Sequence, residues 1–212
     1  MNFDPFPYRL YLVISEEDCK EKNILTVAEM AIKGGVDIIQ LREKKCSTRE
    51  FLTKANQLSE LMSKYNVPLI INDNIEVAIS NNAQGIHVGN NDIPPSKIRS
   101  IWPKDKIVGY SIEYLEQLSN LEVIHANYLG ISPVFNTKTK LDTVTEWGLE
   151  GISAIRSKTK KPLVAIGNMN KENAYDVIKA GANCIAVVSA ICAASDPTKA
   201  AYAIRNQIEK AV

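Results

Sequence analysis

The sequence has little net charge and no long apolar run. Lysine and arginine number 25 against 24 aspartate and glutamate, so the formal net charge is +1. This balance gives no reason to expect nucleic acid or an anionic membrane as a partner. No apolar run approaches the roughly 18 residues that span a bilayer, and residues 1–9 carry aspartate and proline where a signal peptide has an apolar core. We therefore expect no membrane association and a cytoplasmic location.

Cysteine and histidine are also scarce. The four cysteines form no C-x-x-C pair, and Cys184 lies in an apolar segment. Because zinc-ligand spacing is missing, reduced structural thiols are the favoured interpretation. Neither histidine is given a catalytic role. His87 lies in a predicted strand, where it could orient its neighbours, and His125 ends a predicted helix, where a cation is mildly favourable.

Strand-like and helix-like patterns alternate along the whole chain. Its 212 residues, 45% of them hydrophobic, suffice for one domain with a sizeable core. The predicted strands are 8–14, 36–43, 67–71, 85–88, 106–111, 128–133, 162–166 and 184–188. Eight strand–helix units predict an α/β protein, a single (β/α)₈ TIM barrel over residues 1–212, with the active site at the C-terminal ends of the strands. A doubly wound open sheet is the alternative.

The helices between these strands carry start and stop signals. A capping-box pattern begins at Ser47, and Asp196-Pro197 opens the last helix. Helices are predicted at 24–32, from 47, at 74–82, 94–102, 114–125, 147–158 and 170–181, and from 196. The helix at 170–181 is predicted to be capped by Asn170 and to stop at Gly181.

The second predicted strand ends in charged residues. Side chains alternate between faces along a strand, so Gln40, Arg42 and Lys44 point the same way. One amide and two cationic side chains on the same side of the strand could bind an anion. An edge strand with solvated charges is the alternative.

Two aspartates follow neighbouring strands, Asp73 after the third and Asp92 after the fourth. Neither comes with histidine or cysteine, so Mg²⁺ fits better than zinc, because it takes one or two carboxylates and completes its shell with water and phosphate oxygens. Cations and a metal around one anion indicate a diphosphate. The alternative is that both aspartates cap the helices that follow them.

A second anion site is predicted at the last two strands. Gly167 ends the seventh strand, and Val188 and Ser189 follow the eighth. Loops at this place in (β/α)₈ barrels often bind phosphate through backbone N–H groups. The polar loop 134–146 is long for a compact barrel and is predicted to close over a ligand through Thr137–Lys140, although a solvated surface loop is the alternative.

Taken in order, these segments resemble the thiamine phosphate synthase family over nearly the whole chain. The matching blocks are Gln40-Leu41-Arg42-Glu43-Lys44, Asn72-Asp73, Gly85–Gly89 with Asp92, Gly109-Tyr110-Ser111, Pro133–Lys140, Val164–Gly167 and Val187–Ile191. The resemblance implies a transferase that joins hydroxymethylpyrimidine diphosphate to a thiazole phosphate or thiazole carboxylate phosphate. The thiazole nitrogen attacks, diphosphate leaves through a pyrimidine cation, and no strong general base is required.

The resemblance also implies a role for each site residue. The pyrimidine diphosphate is held by Gln40, Leu41, Arg42, Glu43, Lys44, Asn72, Ser111 and Lys140. Asp73 and Asp92 bind Mg²⁺, while the thiazole phosphate is held by Thr137, Thr139, Gly167, Val188 and Ser189, with Lys138 in the same substrate-binding loop. Arg42, Lys44, Ser111 and Lys140 are the predicted catalytic residues, because they would stabilise the leaving group.

Three positions depart from the family pattern. Asn168 replaces the second glycine after strand seven, Asn136 replaces a proline, and Asn127 replaces an aspartate. The rival functions are a thiazole tautomerase, which has a histidine where this sequence has Ser132-Pro133, and a non-catalytic barrel that binds thiamine precursors. A sugar-phosphate isomerase would need an acid–base pair that the strand ends do not offer. The oligomeric state is left open, and a homo-oligomer is compatible with the sequence.

Overall fold

Eight parallel strands close into a barrel in the computed structural model, which describes residues 6–136 and 145–212. Each strand pairs with the next along the chain, and the last pairs with the first. The strands are β1 Leu10–Ile14, β2 Ile38–Leu41, β3 Leu69–Asn72, β4 Gly85–Val88, β5 Ile107–Ile112, β6 Tyr128–Ile131, β7 Leu163–Ile166 and β8 Cys184–Val187. The predicted (β/α)₈ barrel is confirmed, and the open-sheet alternative is wrong.

Helices follow the strands around the outside of the barrel. They are α1 Glu16–Cys19, α2 Ile24–Lys33, α3 Thr48–Ser63, α4 Ile75–Ser80, α5 Pro95–Ile101, α6 Glu122–His125, α7 Gly148–Lys158, α8 Ala174–Lys179, α9 Ser189–Cys192 and α10 Pro197–Ala211. The capping box at Ser47 and the Asp196 cap are present as predicted. All four cysteines are free thiols. Within the described residues, no helix is long and apolar enough to cross a membrane.

The strands are buried on both faces, as expected for a parallel sheet covered by helices. Side chains on the outer face pack against the helices, while the inner face fills the barrel. The inner set is Tyr11, Val13, Ile38, Ile70, Tyr128, Val164, Cys184 and Ala186, and Phe6 packs against it. The barrel interior is therefore a packed core, and a ligand can enter only above it, at a rim.

Several predicted boundaries differ from the observed ones, and three of these differences bear on the fold. The second strand is shorter than 36–43. The helix predicted over 114–125 is a 3₁₀ segment, Leu115–Ser119, followed by α6. It breaks because the buried side chain of Gln117 binds the end of β5, where its Nε2 donates to the Ser111 carbonyl at 2.8 Å. The helix predicted at 170–181 with Asn170 as its cap is α8, which begins at Ala174 after Asn173. Asn170 instead closes a turn by accepting from the Glu172 N–H at 2.9 Å.

The N-terminal rim of the barrel repeats one hydrogen-bonded pattern. A residue just before a strand donates its N–H to the preceding strand, and its side chain accepts from the N–H of that same partner. The pairs are Asp37 with Leu10, Gln84 with Leu69, Asn127 with Val108 and Asn183 with Leu163. The side-chain bonds measure 3.1, 2.9, 2.7 and 2.9 Å respectively. The pattern fixes the register where the strands begin.

Arginines from the helix layer complete three of these pairs. Arg205 donates to Asp37 at 2.6 Å, and Arg156 donates to Asn183 at 2.9 Å. Arg99 donates to Asn127. Asn127, which departs from the family's aspartate, thus supplies the same acceptor oxygen without a charge, far from the C-terminal rim.

Candidate active site

A cavity of about 1450 Å³ opens at the C-terminal ends of the strands. Six residues predicted from the sequence line it: Arg42, Glu43, Lys44, Gly167, Val188 and Ser189. Asn136 and Asn168, two of the family departures, also line it. Its walls come from the segments after β1, β2, β6, β7 and β8, and its volume suffices for two small substrates.

The two cations after β2 are placed by the sheet and by a carboxylate. The Arg42 N–H donates to the Ile14 carbonyl at 2.9 Å, which extends the β1–β2 ladder beyond β2. The ammonium of Lys44 forms an ion pair with Asp73, and the Lys44 side chain is 51% exposed. Both cations are therefore held near the cavity and remain accessible to an anion.

Asp73 adopts the left-handed conformation, with φ of 60°, and its N–H donates to the His87 carbonyl at 2.8 Å. This uncommon backbone conformation makes the chain turn directly after the end of β3. The N-cap of the following helix α4 is Asn74, and that of α5 is Pro94. The helix-cap alternative for Asp73 and Asp92 is therefore wrong.

The carboxyl of Asp92 faces that of Asp73. Asp92 Oδ2 accepts from the Gly89 N–H at 2.7 Å. Burial raises the pKa of the Asp92 carboxyl, and the adjoining Asp73 carboxylate raises it further, against the Gly89 hydrogen bond, which lowers it. Two carboxylates in contact repel each other unless a proton or a cation lies between them. The donor set therefore fits a hard divalent cation.

No group of three or more histidine, cysteine, aspartate or glutamate side chains that could hold a metal occurs in residues 6–136 and 145–212. A pair of carboxylates is nevertheless what Mg²⁺ uses when water and substrate phosphate complete its shell. The Asp73–Asp92 pair fits that mode and does not fit a closed zinc site.

Two of the predicted substrate residues have structural partners of their own. Glu43 pairs with Lys54 at 3.1 Å and accepts from the Glu16 N–H at 2.9 Å. Leu41 is fully buried against the helix layer, so its side chain faces away from the cavity. Both residues hold the segment that carries Arg42 in place.

Gln40 and Asn72 lie below the rim, 4% and 7% exposed. Gln40 Nε2 donates to the Tyr11 hydroxyl at 2.9 Å, inside the barrel. Ser111 lies at the end of β5 and is partly exposed. The residues at the ends of β3, β4 and β5 thus continue the rim that starts at Arg42 and Lys44, joined to it by the Lys44–Asp73 ion pair.

The turn after β7 requires unusual backbone angles at two positions. Gly167 has φ of +117°, and a Cβ there would lie 2.7 Å from Pro133 Cβ. Asn168 has φ of 53°. Asparagine is among the few residues other than glycine that tolerate this region. The departure from the family's glycine pair is therefore compatible with the same turn.

A family model described as thiamine monophosphate synthase matches residues 10–191. The chain belongs to this family. It is 44% identical over 201 residues to the thiamine-phosphate synthase of Albidiferax ferrireducens, covering 95% of this chain and 92% of that protein. It is 45% identical over 202 residues to the thiamine-phosphate synthase of Leptospira biflexa, covering 93% of this chain and 96% of that protein.

Solved structures give the same result for the fold. The thiamine phosphate pyrophosphorylase of Pyrococcus furiosus superposes with a TM-score of 0.87 at 33% identity, covering 97% of this chain and 98% of that one. A 3-hexulose-6-phosphate synthase, at 18% identity and a TM-score of 0.71, shares the barrel alone. The family predicted from the sequence is confirmed.

Thr137, Lys138, Thr139 and Lys140 lie outside the described residues, so their roles stay predictions. The structure also adds residues that sequence reasoning missed. Ser15, Lys45, Ser132 and Met169 line the cavity, and Tyr11 and Tyr128 are buried inside the barrel. Because β1 and β6 are apolar and buried on both faces, the sequence carries no alternation that would show the two tyrosines facing inward.

Proposed function

We propose that this member of the family makes thiamine phosphate from hydroxymethylpyrimidine diphosphate and a thiazole phosphate or thiazole carboxylate phosphate, with release of diphosphate. The observation that carries the proposal is the Lys44–Asp73 ion pair at the rim, with Arg42 lining the cavity beside Lys44 and the Asp92 carboxyl next to that of Asp73. Two cations beside two carboxylates can hold a polyanion and its counter-cation together. The names of the relatives support the synthase and give no support to the tautomerase.

Stabilisation of the leaving group is the main task of these residues. When the bond to the pyrimidine methylene breaks, negative charge builds up on the diphosphate. A cation about 4 Å from that charge contributes up to about 4 kcal/mol at an effective dielectric near 20, before desolvation is subtracted. Arg42 offers a planar fork of donors, and Lys44 offers a compact charge. Neither needs to exchange a proton.

Asp73 and Asp92 are the residues that would hold Mg²⁺. The ion supplies Lewis-acid neutralisation of the diphosphate when it is bound. Lys44 contacts Asp73 and thereby ties the cation group to the carboxylate pair. The other side of the cavity, at Gly167, Val188 and Ser189, is left for the thiazole phosphate, in keeping with the position of phosphate sites in such barrels.

Positioning is the second task. The thiazole nitrogen must lie in line with the breaking bond, and fixed binding of both phosphate ends restricts the two rings to that approach. Val13, Ile166 and Ala186 give the cavity a partly apolar lining, which suits flat heterocycles. A homo-oligomer and a cytoplasmic location stay predictions from the sequence.

The test is release of diphosphate from hydroxymethylpyrimidine diphosphate, measured with and without the thiazole phosphate and with and without Mg²⁺. We expect release only when both are present, together with thiamine phosphate in equal amount. Binding of both precursors without product would instead support the non-catalytic barrel. Product formed at the same rate after complete chelation of divalent cations would remove the metal role of Asp73 and Asp92.

A further inference from the structure

Five polar side chains form a continuous hydrogen-bonded row through the barrel, here named the barrel network. Gln40 Nε2 donates to the Tyr11 hydroxyl at 2.9 Å, and the Tyr11 and Tyr128 hydroxyls lie 3.0 Å apart. The Tyr128 hydroxyl lies 3.0 Å from His87 Nδ1, and His87 Nε2 lies 2.9 Å from Ser111 Oγ. The row runs from two fully buried tyrosines to two partly exposed residues at the rim.

Two glycines make room for the middle of this network. A Cβ on Gly109 would lie 2.2 Å from Tyr128 Cζ and 2.4 Å from His87 Nδ1, and one on Gly130 would lie 2.9 Å from His87 Cε1. In the sheet register His87 is opposite Gly109, and Ser111 is opposite Gly130. The strands therefore reserve space for the two rings, whose centroids stack at 5.5 Å.

The donors and acceptors of the barrel network can be ordered from Gln40 outward. The Gln40 amide nitrogen can only donate, so the Tyr11 oxygen accepts from it. Tyr11 then donates to Tyr128, and Tyr128 donates to His87 Nδ1. Burial raises the pKa of both tyrosines, which keeps each hydroxyl protonated. His87 is then the neutral tautomer that carries its proton on Nε2, and it donates to Ser111.

The opposite order satisfies the network less well. If Ser111 donated to His87, then His87 Nδ1 would donate to Tyr128 and Tyr128 to Tyr11. Tyr11 would accept two hydrogen bonds, and its own proton would have no acceptor among the other four members. An unsatisfied buried hydroxyl costs free energy, so the order that ends with donation to Ser111 is favoured.

We infer that Tyr128 and His87 position the Ser111 hydroxyl as a hydrogen-bond donor to the diphosphate. The inference rests on the proposed function for the identity of the anion. Diphosphate oxygens only accept, whereas a serine hydroxyl can turn its proton toward any neighbour. Because Ser111 already accepts from His87 Nε2, its proton is left to point at the rim. Tyr128 and His87 are positioning residues, since they act through Ser111.

A double-mutant cycle tests this with inorganic diphosphate and Mg²⁺ in calorimetric titrations. The variants are Ser111→Ala, Tyr128→Phe, both together, and Tyr65→Phe as the control, since the Tyr65 hydroxyl bonds Glu29 on the helix surface. Loss of a hydrogen bond to a charged group predicts roughly tenfold weaker binding for Ser111→Ala. We expect Tyr128→Phe to weaken binding roughly threefold, and the double variant to match Ser111→Ala.

The test is whether the effects of Tyr128→Phe and Ser111→Ala on diphosphate affinity are independent. If the effects of Tyr128→Phe and Ser111→Ala multiply, Tyr128 acts through packing and the inference is overturned. Unchanged binding in Tyr128→Phe would overturn it as well. The control should bind diphosphate as the unmodified protein does.

Nitrogen-15 NMR of the two histidines gives a readout that packing alone would not move. We expect His87 to be the Nε2–H tautomer in the unmodified protein and to become a mixture of tautomers in Tyr128→Phe, while His125 stays unchanged. An Nδ1–H tautomer in the unmodified protein would overturn the inference. Since this spectrum needs neither substrate nor turnover, it stands even if no thiamine phosphate is formed, and failure of the synthase assay remains a separate result.

A second pair of variants covers the case in which Tyr128→Phe does not fold. His87→Gln places an amide near the position of Nε2, whereas the shorter His87→Asn reaches only the position of Nδ1. We expect His87→Gln to retain diphosphate affinity and His87→Asn to fall to the level of Ser111→Ala. Equal losses in both variants would contradict the inference.

Discussion

The two rims of this barrel use similar side chains for opposite purposes. At the N-terminal rim Arg205 and Arg156 bind the side chains of Asp37 and Asn183, and those side chains fix the first residues of neighbouring strands. At the C-terminal rim Arg42 lines an open cavity. One rim thus satisfies its polar groups internally, and the other keeps them available to a ligand.

The backbone shows the same contrast. The C-terminal rim holds Asp73 at positive φ after β3, and Gly167 and Asn168 at positive φ in the lining of the cavity. Left-handed residues also occur at the N-terminal rim, at Asn66 and Asn82, where helices turn into strands. Unusual backbone alone therefore does not mark the active site, and what marks it is unusual backbone next to charged groups facing a cavity.

The largest effect on turnover is expected when one arginine at each rim, Arg42 or Arg205, is replaced by alanine. Arg42→Ala should lower turnover about 10²–10³-fold, because a cation at the developing charge is lost. Its backbone bond to Ile14 survives, so the free energy of unfolding should change by less than about 0.5 kcal/mol. Turnover of thiamine phosphate and urea unfolding are measured on the same preparation.

Arg205→Ala is the matched control at the opposite rim. It should leave turnover per folded molecule unchanged and lower the free energy of unfolding by about 1–3 kcal/mol, because Asp37 loses its partner. If Arg42→Ala unfolded the protein while Arg205→Ala reduced turnover, the contrast between the rims would be wrong.

A smaller effect tests what the N-terminal rim requires. Asp37→Ala leaves two backbone N–H groups, those of Arg9 and Leu10, without their side-chain acceptor and removes one partner of Arg205. The free energy of unfolding should therefore fall by about 2–3 kcal/mol. Asp37→Asn should cost less than about 1 kcal/mol, because an amide oxygen can still accept the hydrogen bonds. Asn127 and Asn183 already fill equivalent positions with an amide. Equal losses in both variants would show that charge, and not geometry, holds this rim.

The fold could be predicted because alternation and capping are local properties. Eight apolar segments separated by helical patterns were enough for the barrel, and Ser47 and Asp196 marked their helices correctly. The segment 114–125 failed for a reason that is not local. Its helical pattern is overridden by Gln117, whose side chain binds Asn90 and the end of β5.

The site could be predicted as a set of strand ends but not as a network. A parallel barrel brings every strand end to one rim, which placed Arg42, Lys44, Asp73 and Asp92 together before any contact was known. The hydrogen bond between His87 and Tyr128 joins residues 41 positions apart, and neither sequence segment predicts it. Register and the absence of a Cβ at Gly109 determine that contact, and both emerge only when the barrel closes.

The smallest effects on the free energy of unfolding are expected for substitutions of two left-handed asparagines, one at each rim. Asn168 and Asn66 have φ of 53° and 55°, so replacing either by alanine should lower the free energy of unfolding by about 1–2 kcal/mol, and replacing either by glycine should change it by less than about 1 kcal/mol. Only at Asn168 should alanine also raise the KM for the thiazole phosphate, because this turn lines the cavity. A KM change at Asn66, or none at Asn168, would mean that the turn after β7 does not shape the second anion site.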